Sequence, residues 1–294
     1  MSPDKKNSAT IPRCVALICA AIILVLLAYT LFNGLSGTTS AARHPATITG
    51  AAVCSTVSGI ATPLPPDVCP AVIKPVPVTP VVPATLASST LVLTRPAASD
   101  LIPYSRREFS QPQKAAIAWW MSPGFKDNTT EFRRYERQSP ESKAAYPEEL
   151  RIFYDFIEQS LDSAERESAV QHDIILFRGI NPVVVGTVIN NAQYQEPAFA
   201  STAYDITVSL GMFGQRTPDG YQNVLVLQRH PGDHVLYIND DEREFLLPRG
   251  MTWNVIKAVN IENLTVTADF PLYSANVSSF DHVRLIYVRE NSCP

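Results

Sequence analysis

The sequence predicts an α+β fold for the part of the chain that follows residue 100, because helical patterns come first there and short strand-like segments follow. A parallel, doubly wound sheet would need helices alternating with strands, so this segregation favours largely antiparallel sheets. That part of the chain is also long enough for one domain with its own hydrophobic core. We therefore expect N-terminal helices followed by two packed, mostly antiparallel β-sheets over 100–294.

Two helices are predicted at the start of this domain. Pro147 stands at a first helical position, and apolar residues recur after it at the spacing of one helix face, which indicates an amphipathic helix over 148–167. A shorter helix is predicted from Gln113 to Met121. The strands predicted after them are β-branched or aromatic segments between turn residues: Ile174–Phe177, Ala198–Thr202, Asn223–Gln228, Val235–Ile238, Glu244–Leu247, Thr252–Val259 and Val283–Val288.

An apolar stretch near the start of the chain predicts a membrane anchor. The residues from Cys14 to Phe32 carry no charge, and a helix of that length, at ~1.5 Å per residue, matches the hydrocarbon core of a bilayer. Lys5 and Arg13 precede it, so the positive-inside rule predicts a short cytoplasmic tail at 1–13 and places the rest of the chain outside the cytoplasm. We expect a single-pass signal-anchor helix at 14–32 that contacts the membrane.

A cleaved signal peptide is the alternative for this segment, because the small residues from Ser40 to Ala42 resemble a processing site. The folded domain would then be secreted rather than anchored. The apolar stretch is longer than the ~7–15 residues of a usual signal-peptide core, which favours the anchor.

The next stretch, 33–99, is predicted to be a linker. From residue 44 onward charges are sparse, and Pro, Val, Thr and Ala are frequent. Proline fixes φ and removes a hydrogen-bond donor without offering a core, so this composition is typical of a polyproline-like spacer. Cys54 and Cys69 lie within it and could pair in an oxidising compartment, which the sequence leaves open.

Composition and charge exclude several classes of function. With 46% hydrophobic and 18% charged residues, the chain is too apolar for a disordered protein and too polar for a multispanning membrane protein. A net charge of −4 provides no basic stripe for tracking nucleic acid, so no nucleic-acid partner is expected. The cysteines form no CxxC pair, and the helix-breaking Pro231-Gly232 separates His230 from His234, so no metal site is expected.

Three polar clusters in the predicted strands are candidate functional sites. The first is Phe-Arg-Gly-Ile at 177–180, where a guanidinium ends a hydrophobic strand beside a glycine that lets a ligand approach the backbone. The second is Phe-Ala-Ser-Thr at 199–202, and the third is Glu-Arg-Glu at 242–244, where two carboxylates share one face of a strand and repel each other. Taken singly, each also fits a structural role, as an edge ion pair, ladder hydroxyls or a solvated loop.

In this order the three clusters together resemble the Arg–Ser–Glu class of mono-ADP-ribosyltransferases, which includes the enzymatic components of clostridial binary toxins and the vertebrate ecto-ADP-ribosyltransferases. The resemblance covers roughly residues 112–290. The segment 177–180 resembles the family's arginine strand, 199–202 its aromatic-x-Ser-Thr-Ser motif, and 242–250 its Glu-x-Glu turn and strand. One position departs from the pattern, because Ala203 replaces the last serine of Ser-Thr-Ser.

The resemblance implies that the domain binds NAD as a substrate in a cleft between the sheets and cleaves its nicotinamide–ribose bond without a metal. It implies that Glu244 stabilises the ribose as positive charge develops, that Ser201 orients Glu244, and that Arg178 pairs with the dinucleotide phosphate. Further residues that it places at NAD are Gly179, Thr202, Phe213 and Arg216, with Phe213 against nicotinamide and Arg216 on the second phosphate.

Glu242 bears on the acceptor of the ADP-ribose. A second carboxylate can accept hydrogen bonds from a guanidinium, and in this family Glu-x-Glu accompanies arginine modification whereas Gln-x-Glu accompanies asparagine modification. The resemblance therefore implies an enzyme that transfers ADP-ribose to arginine of a target protein. Two alternatives stay open: an NAD glycohydrolase or other glycoside-cleaving enzyme that uses Glu242 and Glu244, and a non-catalytic, membrane-tethered recognition module.

Overall fold

The computed structural model describes residues 80–122, 125–274 and 279–290. Within them the chain forms nine strands and six α-helices, with a short 3₁₀ turn at Tyr104–Arg106. The helices are α1 (Gln111–Trp120), α2 (Phe125–Glu136), α3 (Pro140–Ala144), α4 (Glu148–Arg166), α5 (Pro182–Asn191) and α6 (Ile206–Met212). The strands are β1 (Ala84–Leu93), β2 (Ile174–Gly179), β3 (Gln193–Glu196), β4 (Ala200–Ala203), β5 (Gln222–Arg229), β6 (Leu236–Asn239), β7 (Glu244–Leu247), β8 (Met251–Ala268) and β9 (Ser279–Glu290).

The strands belong to one mixed sheet in the order β1-β8-β9-β5-β2-β4-β7-β6, with β3 paired to the start of β8. Strand β1 is parallel to β8 and β5 is parallel to β9, while the other neighbours are antiparallel. The α+β fold class is therefore confirmed. The expected division into two packed sheets is wrong, because β2 joins both halves: it pairs with β5 along its length and with β4 between Phe177 and Ala203.

Alternate residues of the central strands face opposite sides of the sheet and contribute to two separate apolar clusters. In β2, Leu176 lies in one cluster and Phe177 in the other, and Leu225 and Val226 of β5 divide in the same way. A third cluster joins α1, α2 and α4 to β6 and β7. This packing fixes Trp120, the last residue of α1, close to the strand that begins with Glu244.

Both predicted helices are confirmed. The helix predicted over 148–167 is α4, which buries its apolar face against α1 and the sheet. The helix predicted from Gln113 begins two residues earlier, because Ser110 caps it. Ser110 Oγ accepts from Gln113 N at 3.4 Å, and Gln113 Oε1 accepts in return from Ser110 N at 2.6 Å.

The last part of the predicted linker at 33–99 is folded, which corrects the predicted domain boundary. Strand β1 pairs with β8 from Ala84 to Leu93, and its residues Leu91 and Leu93 are buried. These side chains lie two positions apart, so they share the face of the strand that packs on the sheet's core. The folded domain therefore begins before residue 84 rather than at 100.

The remaining predictions for the first part of the chain lie outside the described residues. They are the cytoplasmic tail at 1–13, the anchor helix at 14–32, the early part of the linker and the pairing of Cys54 with Cys69. In the described ranges, no helix has both the length and the apolar character needed to cross a membrane.

Candidate active site

A cleft opens between strands β2, β4 and β7 and helices α2 and α6, with an empty volume of about 450 Å³ that includes its open mouth. Its walls include Arg178 and Gly179 of β2, Ser201 of β4 and Glu244 of β7. These side chains meet because β4 lies between β2 and β7 in the sheet. All of the site residues predicted from the sequence line this cleft except Arg216.

Glu244 is the acidic centre of the cleft and is only 5% exposed. Its Oε1 accepts a hydrogen bond from Ser201 Oγ at 2.6 Å and another from Trp120 Nε1 at 3.1 Å. Because Ala203 pairs with Glu244 in the β4–β7 ladder, Ser201 lies diagonally across on the same face and within reach. The pairing of serine and glutamate that the motifs imply is present, and Trp120 is a further donor that the motifs do not reveal.

Burial and neighbouring groups have opposing effects on the pKa of Glu244. Burial raises the pKa of this carboxyl group above its ordinary value of 4.5. The hydrogen bonds from Ser201 and Trp120 and the guanidinium of Arg133 act in the opposite direction, while Glu242 adds to the rise. Positive charge that develops beside an ionised, desolvated carboxylate is stabilised far more than it would be in water.

Arg178 is the next-to-last residue of β2 and lines the cleft, with a side chain that is 12% exposed. Its Nη1 donates to the backbone oxygen of Ser201 at 2.9 Å, and its Nη2 donates to Glu196 Oε2 at 2.9 Å. A guanidinium has five N–H donors, so donors remain for an anion bound in the cleft. The two contacts hold the plane of the guanidinium in one orientation.

Glu196 is a buried partner of Arg178 that was not predicted from the sequence. Its side chain has no exposed area and also accepts from Arg137 Nη2 at 2.8 Å and from the Tyr194 hydroxyl at 3.0 Å. Burial raises the pKa of Glu196, but the guanidiniums of Arg178 and Arg137 outweigh that effect, and the net pKa lies below 4.5. The sequence signal is an acidic residue directly before Pro197, in a segment that leads into a buried strand.

Arg133 of α2 adds a second guanidinium to the cleft. The carbon at the centre of this group lies 5.0 Å from the centroid of the Trp120 ring, and its Nε has no hydrogen-bond partner among the described residues. Burial, together with the nearby charge of Arg178, lowers the pKa of Arg133 to about 10. Neither α2 nor this arginine was predicted, because the helix's polar sequence lacks a long apolar stripe.

The other two polar residues predicted at the site differ in what their side chains do. Thr202 is buried, and its hydroxyl donates to the backbone oxygen of Phe245 at 2.8 Å, so it ties β4 to β7. Glu242 lines the cleft and is held through its backbone, where N–H donates to Asn239 Oδ1 at 2.7 Å. Its carboxylate makes no hydrogen bond or ion pair within the described part of the chain.

Gly179 is required by close packing against the end of α6. A Cβ atom at this position would lie 2.8 Å from Phe213 Cβ and 2.8 Å from the backbone oxygen of Ser209. Ser209 Oγ also donates to Phe177 O at 3.0 Å, which holds α6 against β2. Phe213 follows α6, is 45% exposed and lines the cleft. The glycine therefore sets the position of the aromatic ring.

We expect Gly179→Ala to lower the free energy of unfolding by about 1–3 kcal/mol, because the added methyl group meets backbone atoms that cannot move aside independently. Gly186→Ala, in the interior of α5, is the matched control, since a Cβ there has no atom within 4 Å. That variant should gain up to ~1 kcal/mol from helix propensity. Urea unfolding of both variants measures the effects, and equal stabilities would contradict the packing role of Gly179.

Arg216 is the one predicted site residue that does not line the cleft. Its Nη1 donates to the backbone oxygen of Gly220 at 2.6 Å, and its Nη2 donates to that of Asp281 at 3.4 Å. The arginine therefore closes the loop after α6 onto the start of β9. The sequence places Arg216 only three residues after Phe213, but the chain turns away from the cleft between them.

His230 and His234 belong to a turn and not to a helix. His230 follows β5 and pairs with Asp173 through Nδ1 and Oδ1 at 2.8 Å, while His234 forms an isolated bridge with Ala169. Across the described ranges, no group of three or more His, Cys, Asp or Glu side chains is arranged to hold a metal ion.

No protein-family model matches this chain, and no curated protein matches it either. Solved structures similar to it include the enzymatic component C2-I of the Clostridium botulinum C2 toxin, at 13% identity and a TM-score of 0.44, which covers 62% of this chain and 44% of C2-I. Plx2a, an ADP-ribosyltransferase toxin from Paenibacillus larvae, is 14% identical with a TM-score of 0.44, covering 63% of this chain and 88% of Plx2a. The ADP-ribosylating toxin BECa, from a binary enterotoxin of C. perfringens, is 12% identical with a TM-score of 0.42, covering 65% of this chain and 45% of BECa.

These structures are toxins of the kind that the sequence motifs resemble. The chain spans less than half the length of C2-I and of BECa. Because the identities are below 25% and the TM-scores below 0.5, any inference about function depends on the motifs and on the geometry of the cleft.

Proposed function

We propose that this protein is an NAD-dependent mono-ADP-ribosyltransferase that transfers ADP-ribose to arginine side chains of a target protein. The observation that carries the proposal is the buried Glu244 carboxylate, hydrogen-bonded by Ser201 in a cleft that also contains Arg178. The three residues lie far apart in the sequence and come from three different strands. Their convergence is what an enzyme that cleaves the nicotinamide–ribose bond requires.

The chemistry of that bond explains the arrangement. As nicotinamide leaves, the bonding electrons go with it and the ribose becomes cationic at the carbon that was bound to nitrogen. An ionised Glu244 beside this carbon would stabilise the transition state more than the ground state, which is the condition for catalysis. The hydrogen bonds from Ser201 and Trp120 keep the carboxylate in one orientation, so little reorganisation is needed during the reaction.

The two guanidiniums of the cleft suit the diphosphate of NAD. Arg178 and Arg133 both line the cleft, and their mutual repulsion is one cause of the lowered pKa of Arg133. A doubly charged anion between or beside them would relieve that repulsion and form charge-assisted hydrogen bonds. This supports Arg133, rather than Arg216, as the second cationic group at the substrate.

The position and the contacts of Glu242 support arginine as the acceptor. Its carboxylate lines the same cleft as Glu244 and has no partner in the described part of the chain, so it can accept hydrogen bonds from an incoming guanidinium. Such contacts would orient the acceptor and favour loss of its proton as the nitrogen attacks the ribose carbon. Simple hydrolysis of NAD needs no such residue.

Glu242→Gln tests the acceptor assignment. With labelled NAD and polyarginine, we expect transfer to fall by about 100-fold, the lower range for loss of a proton-transfer group. Nicotinamide release without acceptor should stay within about threefold of wild type, because Glu244 is unchanged. Asp241→Asn, a neighbouring acid that does not line the cleft, is the control and should leave both rates unchanged.

The outcomes separate the candidate functions. Parallel loss of both activities in Glu242→Gln would contradict the role of Glu242 at the acceptor. Nicotinamide release without transfer in the wild-type protein would identify an NAD glycohydrolase. If wild type shows no nicotinamide release at all, the cleft belongs to a non-catalytic recognition module.

A further inference from the structure

Arg243, the residue between the two carboxylates of the cleft, has an uncommon backbone conformation. Its φ is 52°, in the left-handed region that costs free energy for residues other than glycine. It lies in the tight turn between β6 and β7, directly before Glu244. A conformation of this kind persists only where other contacts hold it in place.

One of those contacts is from the backbone, where the oxygen of Arg243 accepts from Tyr204 N at 3.3 Å, and the others come from the side chain. The guanidinium forms an ion pair with Asp205 and donates to the backbone oxygen of Pro271. It also lies over two aromatic rings, 5.2 Å from the centroid of Phe270 and 5.9 Å from that of Tyr204. The side chain is 14% exposed, so the ion pair is largely shielded from water.

Asp205 connects this turn to another wall of the cleft. Its side chain has no exposed area, and Oδ1 accepts from Thr207 N at 2.9 Å, which caps the N-terminus of α6. Oδ2 accepts from Tyr273 N at 2.8 Å in addition to the contact with Arg243. Helix α6 leads to Phe213, which also lines the cleft. One buried carboxylate thus holds the turn and the helix together.

The two cleft carboxylates depend on this ion pair to different degrees. Glu244 is fixed independently, by the β4–β7 ladder and by hydrogen bonds from Ser201 and Trp120. Glu242 has one hydrogen bond, from its backbone N–H to Asn239 Oδ1, and its carboxylate has no partner among the described residues. Glu242 therefore depends on the conformation of the turn more than Glu244 does.

We propose that Arg243 and Asp205 are positioning residues that hold Glu242 at the acceptor side of the cleft and so set the ratio of arginine transfer to NAD hydrolysis. The inference rests on the proposed function. It adds that these two residues influence whether ADP-ribose is transferred to arginine or to water. The ion pair between Arg243 and Asp205 acts only by positioning Glu242, because neither residue lines the cleft. Displacing a reacting group by about 1 Å can cost as much as 100-fold in rate.

Two single variants and their combination test the role of this ion pair in the full-length protein. Arg243→Gly removes the guanidinium and keeps the turn, since glycine adopts a φ of 52° without strain. Asp205→Asn removes the charge but retains a residue that caps helices well. Arg134→Ala is the control, because it removes an exposed ion pair with Glu131 outside the cleft.

We expect Arg243→Gly and Asp205→Asn each to lower transfer to polyarginine by about tenfold or more. Nicotinamide release from NAD without acceptor should stay within about threefold of wild type. The double variant should resemble the single variants, because both remove the same interaction. The control should change neither rate.

Parallel loss of both activities, an unchanged ratio, or additive effects in the double variant would overturn the inference while leaving the proposed function intact. Failure of the wild-type protein to transfer ADP-ribose to polyarginine would instead overturn the proposed function, and the inference with it.

Discussion

Glu244→Gln should lower the rate of ADP-ribose transfer by at least two orders of magnitude and at the same time make the protein more stable. Loss of a preorganised charge at a developing cation lowers kcat by about 10²–10³-fold in comparable electrostatic sites. The glutamine oxygen can still accept from Ser201 and Trp120, so the shape of the cleft is retained. The buried negative charge, whose ionisation is disfavoured in the folded state, is removed.

The gain in stability should depend on pH in a defined direction. Between pH 4.5 and the raised pKa of Glu244, the native state binds more protons at this group than the unfolded state does. The free energy of unfolding of the wild type therefore falls as the pH rises through that interval. The variant lacks this contribution, so it should be the more stable protein at neutral pH, and the two proteins should converge below pH 4.5.

A matched control separates catalysis from stability. Glu165 of α4 is also buried, and burial raises its pKa to about 8, but it does not line the cleft. Glu165→Gln should therefore be stabilised at neutral pH and keep its full rate of nicotinamide release. Urea unfolding at several pH values and a nicotinamide assay measure both effects. A Glu244→Gln variant with near-normal activity would remove this residue from the mechanism.

Arg178→Lys should raise KM for NAD strongly and lower the free energy of unfolding only moderately. Lysine keeps the positive charge, but its single ammonium group cannot reach the Ser201 oxygen and Glu196 in the same planar arrangement and still bind an anion. We expect KM for NAD to rise by about 10–100-fold, as bidentate contacts to phosphate are lost. The free energy of unfolding should fall by about 1–3 kcal/mol, because one ammonium group cannot replace both guanidinium contacts and leaves a buried acceptor without its donor.

Arg137→Lys provides the comparison for this prediction. Arg137 contacts the same carboxylate of Glu196 but is 40% exposed and does not line the cleft. It should lower stability to a smaller extent and leave KM for NAD unchanged. If both lysine variants raise KM equally, the effect of Arg178 comes from the position of Glu196 and not from contact with the substrate.

The parts of the fold that sequence reasoning found are those with strong local patterns. Helix α4 has an uninterrupted apolar stripe, and β7 begins and ends where the pattern predicts, at Glu244 and Leu247. Helix α5 was missed because its Pro-Val-Val-Val sequence has the composition of a strand. Its cap at Asn181, with proline directly after it, was the signal that could have identified it.

The site residues that could be predicted from the sequence are likewise those with a local sequence pattern. Arg178, Ser201 and Glu244 stand in recognisable motifs, and strand alternation directs their side chains to one cleft. Glu196 and Arg133 have no such motif, and their contribution depends on tertiary contacts with α2 and β3 that local sequence does not encode. Arg216 follows Phe213 closely in sequence but donates to the backbone oxygens of Gly220 and Asp281 rather than lining the cleft.

The pairing of β1 with β8 bears on how the domain can be produced in isolation. A recombinant fragment that begins at residue 100 would lack β1 and would leave the backbone donors and acceptors along that side of β8 without their partners. An unprotected strand edge of this length invites intermolecular pairing, and loss of Leu91 and Leu93 would uncover apolar surface beneath it. Such a fragment would self-associate for reasons unrelated to the cleft, so expression should start at residue 80 or earlier.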